Sequence, residues 1–412
     1  MLNTFSFAFL AALLLMCALR LWLAQRQISH VIAHRGRVPA GFADRIELDA
    51  HQKAADYTVA RTRFDTVGLA VEVAVLLAFT FGGGLQTLHE FWSGRLDGLT
   101  YGVALIFSVA LVSAVVDLPL ALYRQFVIEA NFHFNRMTLK IFISDLLKQA
   151  ALGIVIGTPV LLAVLWLMDR MGDLWWLHVW LFWCAFNLLL LFIYPTWIAP
   201  LFNKFVPLDD AQLKMRVEAL LVRCGFTSSG LFVMDGSRRS RHGNAYFTGF
   251  GKTKRIVFFD TLLSRLRPVE VEAVLAHELG HFKHRHVLKR IGMLFAMSLG
   301  FLALLGQLID AEWFFNGLGV AAGNTVLGLL LFFLVGPVFT FLLTPLLSLL
   351  SRRDEFEADR YAAAHASAGD LVSALVKLYE DNAATLTPDP LHSLFYDSHP
   401  PAALRIARLQ GT

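Results

Sequence analysis

Apolar residues dominate seven long stretches of the chain, and each stretch is long enough to cross a bilayer. A membrane-spanning helix needs about 20 mostly apolar residues. No basic segment precedes the first stretch, and its apolar run is too long for a secretory signal peptide, so it is interpreted as a retained anchor. The predicted spans cover approximately residues 4–24, 66–88, 99–122, 150–168, 174–198, 289–309 and 325–350.

Several residues inside these spans are unusual in apolar helices. Glu72, Asp117 and Asn187 are polar, and such groups face a wet interior or a partner helix. The sequence leaves these two alternatives open. Helix-breaking residues also occur, and membrane helices tolerate them; they are Gly82 to Gly84, Pro119, Pro159 and Pro337.

Two long polar segments remain, with the last two spans between them. The first begins with a helical pattern that ends at Gly225, continues with strand-like runs at 230–235, 244–250 and 254–260, and ends in a helix beginning near Pro268. The pattern predicts a mainly α, multi-pass membrane protein with an α+β soluble domain assembled from two segments. The predicted divisions are 1–198 (spans one to five), 199–288 (soluble domain, first part), 289–350 (spans six and seven) and 351–412 (soluble domain, second part).

Composition and charge agree with this interpretation. The chain has 412 residues, of which 56% are hydrophobic and only 17% charged, as is typical of an integral membrane protein. Lys and Arg concentrate after the first span and between spans three and four, so the positive-inside rule predicts an outside N-terminus and a cytoplasmic C-terminus. The net charge of +4 reflects this asymmetry, and no nucleic-acid partner is predicted.

The helix near Pro268 carries the motif HExxH. His277 and His281 lie four residues apart, hence on one helical face, and Glu278 follows the first of them. Two imidazoles at this spacing bind zinc, and the glutamate acts as general base. His284 lies two turns from His277, too far to share one ion, and His286 points to the opposite face. Both are predicted to be surface groups.

A catalytic zinc needs a third protein ligand and one open position. The segment "SRRDEFEADRYA" (351–362) follows the last span on the predicted cytoplasmic side. Glu355 and Asp359 share a helical face; Glu355 is the predicted third ligand, and Asp359 the predicted acceptor for a ring N–H of a ligand histidine. Glu357 points elsewhere. Without HExxH, an ordinary solvated helix would be the better interpretation of this segment.

Four segments together closely resemble the CAAX prenyl protease type 1 family. They are "GSRRSRHGNAYFTGFGKTKRIVFFDTLL" (236–263), "HELGH" (277–281), "SRRDEFEAD" (351–359) and "YDSHPPAALRI" (396–406). The resemblance extends over nearly the whole chain. It implies a zinc metalloprotease, with one zinc per chain, that cleaves after prenylated cysteine in C-terminal CaaX peptides. It also implies seven membrane helices around a water-filled chamber, closed on one side by a zincin-like catalytic domain.

The resemblance further implies roles for individual residues. Asn244, Ala245, Tyr246 and Phe247 would bind the substrate backbone along a strand, as in β-augmentation. His399 would stabilise the oxyanion, and Arg405 would orient the substrate carbonyl. The expected partners are a peptide or protein substrate, isoprenylated in the family's typical reaction, and membrane lipid.

Other functions are weaker alternatives. A quality-control protease of the HtpX type also has HExxH, but such chains have fewer spans and lack the NAYF and SHPP segments. A transporter or receptor with a structural zinc would show internal pseudo-symmetry, and none is found. An isoprenyl-binding scaffold would leave Glu278 without a role. The absence of long loop insertions and the Ala, Leu and Arg richness favour a bacterial inner-membrane protein.

Overall fold

A computed structural model describes residues 2–243, 245–248 and 255–411. The long elements of residues 2–204 are all helices. The first helix begins where Asn3 and Ser6 form a capping box, each side chain bonding the other's backbone N–H at 3.0 Å. The helices are α1 (Thr4–His34), α2 (Leu48–Phe79), α3 (Gly84–Ser93), α4 (Gly98–Tyr123), α5 (Glu129–Asn131), α6 (Leu139–Arg170), α7 (Trp175–Ile193) and α8 (Ala199–Phe202).

Six helical segments of the described chain are long and apolar enough to cross a membrane, and a bent pair brings the number to seven. The bent pair is α2 with α3, which meet at 49°. The span predicted at 66–88 was therefore wrong in one respect, because it ran unbroken through Gly82 to Gly84. The helix ends at Phe79, and Gly83 has φ +74°, a conformation that favours glycine. Pro119, Pro159 and Pro337 do lie inside helices.

A small sheet and three helices follow. Strand β1 (Phe205–Pro207) was not predicted; helix α9 (Ala211–Cys224) ends at Gly225 as predicted, with φ +70° at that glycine. Strands β2 (Leu231–Met234), β3 (Ala245–Thr248) and β4 (Arg255–Phe259) correspond to the three strand-like runs. The order is β1-β2-β4-β3, with β2 and β4 parallel and the other pairs antiparallel. Helices α10 (Asp260–Leu263) and α11 (Pro268–Lys283) complete this segment.

Helix α11 is fixed at its first turn. Pro268 starts it, and Glu270 accepts a hydrogen bond from the Arg267 backbone at 2.7 Å. Glu270 is fully buried and also accepts hydrogen bonds from Ser373 and Lys377, both at 2.7 Å. The N-terminal end of α11 is thereby bound to the C-terminal segment of the chain.

The last third of the chain returns to the membrane and then to the soluble domain. A helical hairpin of three helices comes first, and four further helices follow it. They are α12 (His286–Leu308), α13 (Glu312–Asn316), α14 (Thr325–Thr340), α15 (Thr344–His365), α16 (Ala368–Asp381), α17 (Pro390–Tyr396) and α18 (Ala402–Gln410). One apolar core lies among the membrane helices, and a second lies between β4, α9, α11 and α16. The predicted fold class is confirmed.

A cavity of about 1450 Å³ lies between the membrane helices and the soluble domain. Glu72 and Asp117 line it, and Glu72 forms an ion pair with Arg20 at 2.9 Å. Both residues thus face a cavity, and Glu72 also meets the alternative of a partner helix through Arg20 of α1. Asn187 instead donates to the carbonyl of Trp183 in its own helix. His399 lines the cavity from the soluble domain.

Candidate metal and catalytic site

Three predicted ligands meet where α11 packs against α15. The Nε2 atoms of His277 and His281 are 3.3 Å apart, and each is 3.4 Å from a carboxylate oxygen of Glu355. Glu355 is buried, with only 3% of its surface exposed. The arrangement brings together two residues of α11 and one that follows 74 positions after His281 in sequence.

These distances fit a tetrahedral metal site. Zinc binds histidine nitrogen and carboxylate oxygen at about 2.0–2.2 Å, and a tetrahedron with such bonds has edges of roughly 3.3–3.6 Å. The separation of the two imidazole nitrogens matches that edge, and Glu355 places Oε2 at 3.4 Å from His277 and Oε1 at 3.4 Å from His281. The residues present therefore fit a metal ion with one or more open positions.

Gly280 allows the two helices to come this close. A Cβ atom at this position would lie 2.9 Å from the Cα of Ala358 and 3.1 Å from the Cβ of Tyr361. The glycine of "HELGH" is thus a packing requirement, since it faces α15 directly. Because Gly280 has no side chain, α15 packs close to α11, and Glu355 lies within reach of both histidines.

Asp359 holds His277 in place, and Arg405 holds Asp359. The Nδ1 of His277 is 2.9 Å from Asp359 Oδ1, the arrangement expected from the sequence. Arg405 donates through Nε at 2.8 Å and through Nη2 at 2.6 Å to the two oxygens of the same carboxylate. All three side chains are buried. Arg405 was expected to orient a substrate carbonyl; two of its nitrogens instead bind Asp359, and its Nη1 lies 3.9 Å from Glu355.

The surrounding carboxylates control the charge of His277. Burial by itself lowers the pKa of this imidazole, but the hydrogen bonds to Asp359 and Glu355 outweigh it and raise the pKa to about 9. In the metal-free site His277 therefore carries a proton at neutral pH. Burial lowers the pKa of His281 to about 3, with the charge of His277 acting in the same direction. His281 is accordingly neutral, the form that binds metals.

Glu278 is available for proton transfer. It lies next to His277 in α11 and, among the described residues, has no hydrogen-bond or ion-pair partner. Burial raises the pKa of its carboxyl, and the neighbouring charge of Glu355 adds to this effect. A carboxylate with a raised pKa beside a metal site is suited to accept and return a proton near neutral pH.

The prediction that His286 is a surface group was wrong. Helix α11 ends at Lys283, and Arg285 adopts φ +57° before α12 begins, so His286 does not continue the face pattern of α11. Its side chain is only 1% exposed, and its Nδ1 lies 3.0 Å from the Nδ1 of His281. His284, by contrast, is exposed as predicted.

His399 reaches the site from the loop between α17 and α18. Its Nε2 is 3.5 Å from Glu355 Oε1, and its Nδ1 is 3.0 Å from the Ser398 hydroxyl. The ring is 60% exposed on the side of the cavity. Partial burial against the site lowers the pKa of His399 although much of the ring faces the cavity, so the neutral form is favoured at pH 7.

Residues that the sequence interpretation missed support this loop. Arg352 donates to the Ser393 hydroxyl at 2.9 Å and to the Asp397 carbonyl at 3.2 Å. Asp389 caps α17 and forms a two-point ion pair with Arg26 of α1. A signal was present for Asp389, since an aspartate directly before Pro390 is typical of a helix start.

The predicted substrate strand is partly described. Asn244 lies outside the described residues, whereas Ala245, Tyr246 and Phe247 form β3 and pair with Phe258, Val257 and Ile256 of β4. β3 stands last in the strand order. The edge of such a strand is suited to accept a further extended segment.

Two family profiles match consecutive parts of the chain. Residues 27–204 match the family profile described as CAAX prenyl protease N-terminal, five membrane helices. Residues 207–412 match peptidase family M48. The two matches meet at β1, the first strand of the sheet.

Individual relatives are similar over nearly their full lengths. CAAX prenyl protease 1 of Saccharomyces cerevisiae is 34% identical over 407 residues, covering 90% of this chain and 88% of the yeast protein. The Homo sapiens homolog is 33% identical, with 97% and 94% covered. The crystal structure of S. mikatae Ste24p superposes with a TM-score of 0.93 at 29% identity, covering 99% of this chain and 100% of that one.

Proposed function

The chain belongs to the CAAX prenyl protease 1 family, whose catalytic half is a peptidase of family M48, and from this premise we propose that it is a zinc endopeptidase that cleaves C-terminal CaaX peptides after the cysteine. It is an integral membrane metalloendopeptidase. The observation that carries the proposal is the cluster of His277, His281 and Glu355. The carboxylate of Glu278, which has no ion-pair partner among the described residues, follows His277 in the same helix.

The donor set favours zinc as the metal, one per chain. His277, His281 and Glu355 would hold it, two nitrogens and one oxygen being a common catalytic zinc set. When bound, zinc supplies a Lewis acid that polarises the scissile carbonyl and lowers the pKa of a water molecule. Asp359 and Arg405 keep the ring of His277 oriented with Nε2 towards the site, since the Nδ1 proton is held by Asp359. Arg405 thus acts as a positioning residue.

Glu278 and His399 carry out the proton and charge steps. Glu278 takes the proton of the attacking water and later delivers it to the leaving amine; its raised pKa favours both halves of this exchange. His399 donates its Nε2–H to the oxygen of the tetrahedral species, on the cavity side of Glu355. Neutral His399 donates without first having to gain a proton.

The substrate backbone would lie extended along β3. Edge-strand pairing supplies affinity through main-chain hydrogen bonds, so Asn244, Ala245, Tyr246 and Phe247 are the proposed contacts. The cavity beside His399 gives space for the chain on either side of the cleaved bond. An isoprenyl group on the cysteine would be the further element of recognition.

Topology follows from the charges of the loops. We place the N-terminus outside and residues 199–288 and 351–412 in the cytoplasm, because Lys and Arg are concentrated after the first span and between spans three and four. The absence of long loop insertions and the Ala, Leu and Arg richness favour a bacterial inner membrane. The four-part division at 198, 288 and 350 is proposed on the same basis. Labelling of single cysteines introduced at Arg95 and Arg353 from each side of sealed vesicles tests this orientation.

The function is tested by mass-spectrometric cleavage of one CaaX peptide, farnesylated and unmodified, with Glu278→Ala as the blank. We expect release of the terminal tripeptide from the farnesylated peptide. Equal cleavage of both forms would favour a broader quality-control protease, a role compatible with backbone recognition along β3. Cleavage by Glu278→Ala at the parent rate would contradict the mechanism.

A further inference from the structure

His286 occupies a position that the metal chemistry above does not use. Its ring is 1% exposed and lies between His281 and a pair of acidic side chains of α15. Its Nδ1 faces the Nδ1 of His281 at 3.0 Å, and its Nε2 lies 3.2 Å from Glu357 Oε2 and 3.5 Å from Asp354 Oδ1.

The hydrogen bond between the two rings needs one donor and one acceptor. A histidine that binds a metal through Nε2 carries its proton on Nδ1. His281 is therefore the donor, and the Nδ1 of His286 is the acceptor. The single proton of a neutral His286 then lies on Nε2, where the carboxylates of Glu357 and Asp354 accept it.

We propose that His286 is a positioning residue that fixes the ring orientation and tautomer of His281 for metal binding, with Glu357 and Asp354 as the terminal acceptors. The inference rests on the zinc site proposed above. It makes the two histidine ligands unequal: Asp359 supports His277 directly at 2.9 Å, whereas carboxylates support His281 through a second imidazole.

The turn at Arg285 between α11 and α12 explains how His286 comes to lie beside His281. The left-handed conformation of Arg285 turns the chain between α11 and α12 and returns His286 towards His281. His284 lies before this turn and is exposed, although its ring stacks on that of His286 at 5.6 Å. It therefore offers a matched control, a histidine of the same segment that makes no hydrogen bond to the described metal-binding side chains.

The test is the zinc affinity of the full-length, detergent-purified chain, measured by competition with a chromophoric chelator. His286→Leu fills the space but removes the acceptor, so we expect zinc binding 10- to 100-fold weaker, the usual cost of losing such a partner. His286→Asn retains an acceptor oxygen near the Nδ1 position and is expected to recover part of the loss. His284→Leu should stay within about twofold of the parent protein.

Peptide cleavage by His286→Leu at saturating zinc distinguishes a positioning role of His286 from damage to the fold. If His286 acts through metal binding, excess zinc restores peptide cleavage by His286→Leu towards the parent rate. Should that variant fail to fold, Glu357→Gln with Asp354→Asn removes the terminal acceptors, and the same weakening of zinc binding, at the lower end of the range, is expected.

Unchanged zinc affinity in folded His286→Leu, or in the double carboxylate variant, would overturn the inference. The parent protein distinguishes this result from a failure of the proposed function. If the zinc site itself were wrong, the parent protein would not bind one zinc per chain. Loss of affinity equal in His286→Leu and His284→Leu would also contradict a specific role for His286.

Discussion

Replacing Gly280 with alanine tests how closely α11 and α15 must approach. The new Cβ would lie 2.9 Å from the Cα of Ala358, whereas ordinary contacts begin at 3.4 Å. The helices must therefore separate by at least about 0.5 Å, because the opposing atom is backbone and cannot rotate away. Metal sites tolerate deviations of only about 0.2 Å in ligand distance. Glu355, on the displaced helix, then no longer reaches the ion together with His277 and His281.

Overpacking of this kind costs about 1–3 kcal/mol. Expressed entirely in metal binding, that corresponds to roughly 5- to 150-fold weaker zinc affinity. Chelator competition on purified Gly280→Ala measures it, and Gly292→Ala is the matched control, because a Cβ at Gly292 meets nothing within 4 Å. Parent-like zinc affinity and cleavage in Gly280→Ala would refute the packing argument.

Four further predictions concern the candidate ligand His277 and the groups around the metal site. Asp359→Asn should bind zinc about 10- to 100-fold more weakly in the same competition assay, and a parent-like value would contradict its role. Because the pKa of His277 is raised to about 9, zinc uptake at pH 7 should release about one proton, and apparent affinity should rise with pH until about 9; calorimetry in two buffers measures this. The raised pKa also stabilises the metal-free protein below about pH 6.5, and this contribution is lost as pH rises through about 9. His399→Ala should lower kcat by about 100- to 1000-fold with zinc content unchanged, whereas lost zinc would point to a ligand role.

The membrane spans could be predicted because each is a local property of about 20 residues. The bend between α2 and α3 could not, since apolar composition continues through Gly82 to Gly84 while the backbone does not. Composition reports whether a segment can enter a membrane, and it carries little information on where a helix breaks. Strand β1 was missed because its three residues are too few to show an alternation of apolar and polar positions.

At the site, the sequence predicted the three candidate ligands and Asp359, and it missed the contacts that Arg405 and His286 make with them. The i,i+4 spacing defines His277 and His281 from local geometry alone, and Glu355 with Asp359 follow by the same rule. The partnership of Arg405 with Asp359 joins residues 46 positions apart, so no periodicity reveals it. His286 was misassigned because the helical-face argument assumed one continuous helix, and Arg285 interrupts it.

A zinc titration of the chelated, full-length protein tests the account most directly. Peptide cleavage is followed as zinc is returned in known equivalents to the detergent-purified chain. The account predicts no cleavage without metal, a linear recovery, and a break at one zinc per chain, formed by His277, His281 and Glu355. Full cleavage after complete chelation, or a break at a different stoichiometry, would contradict it.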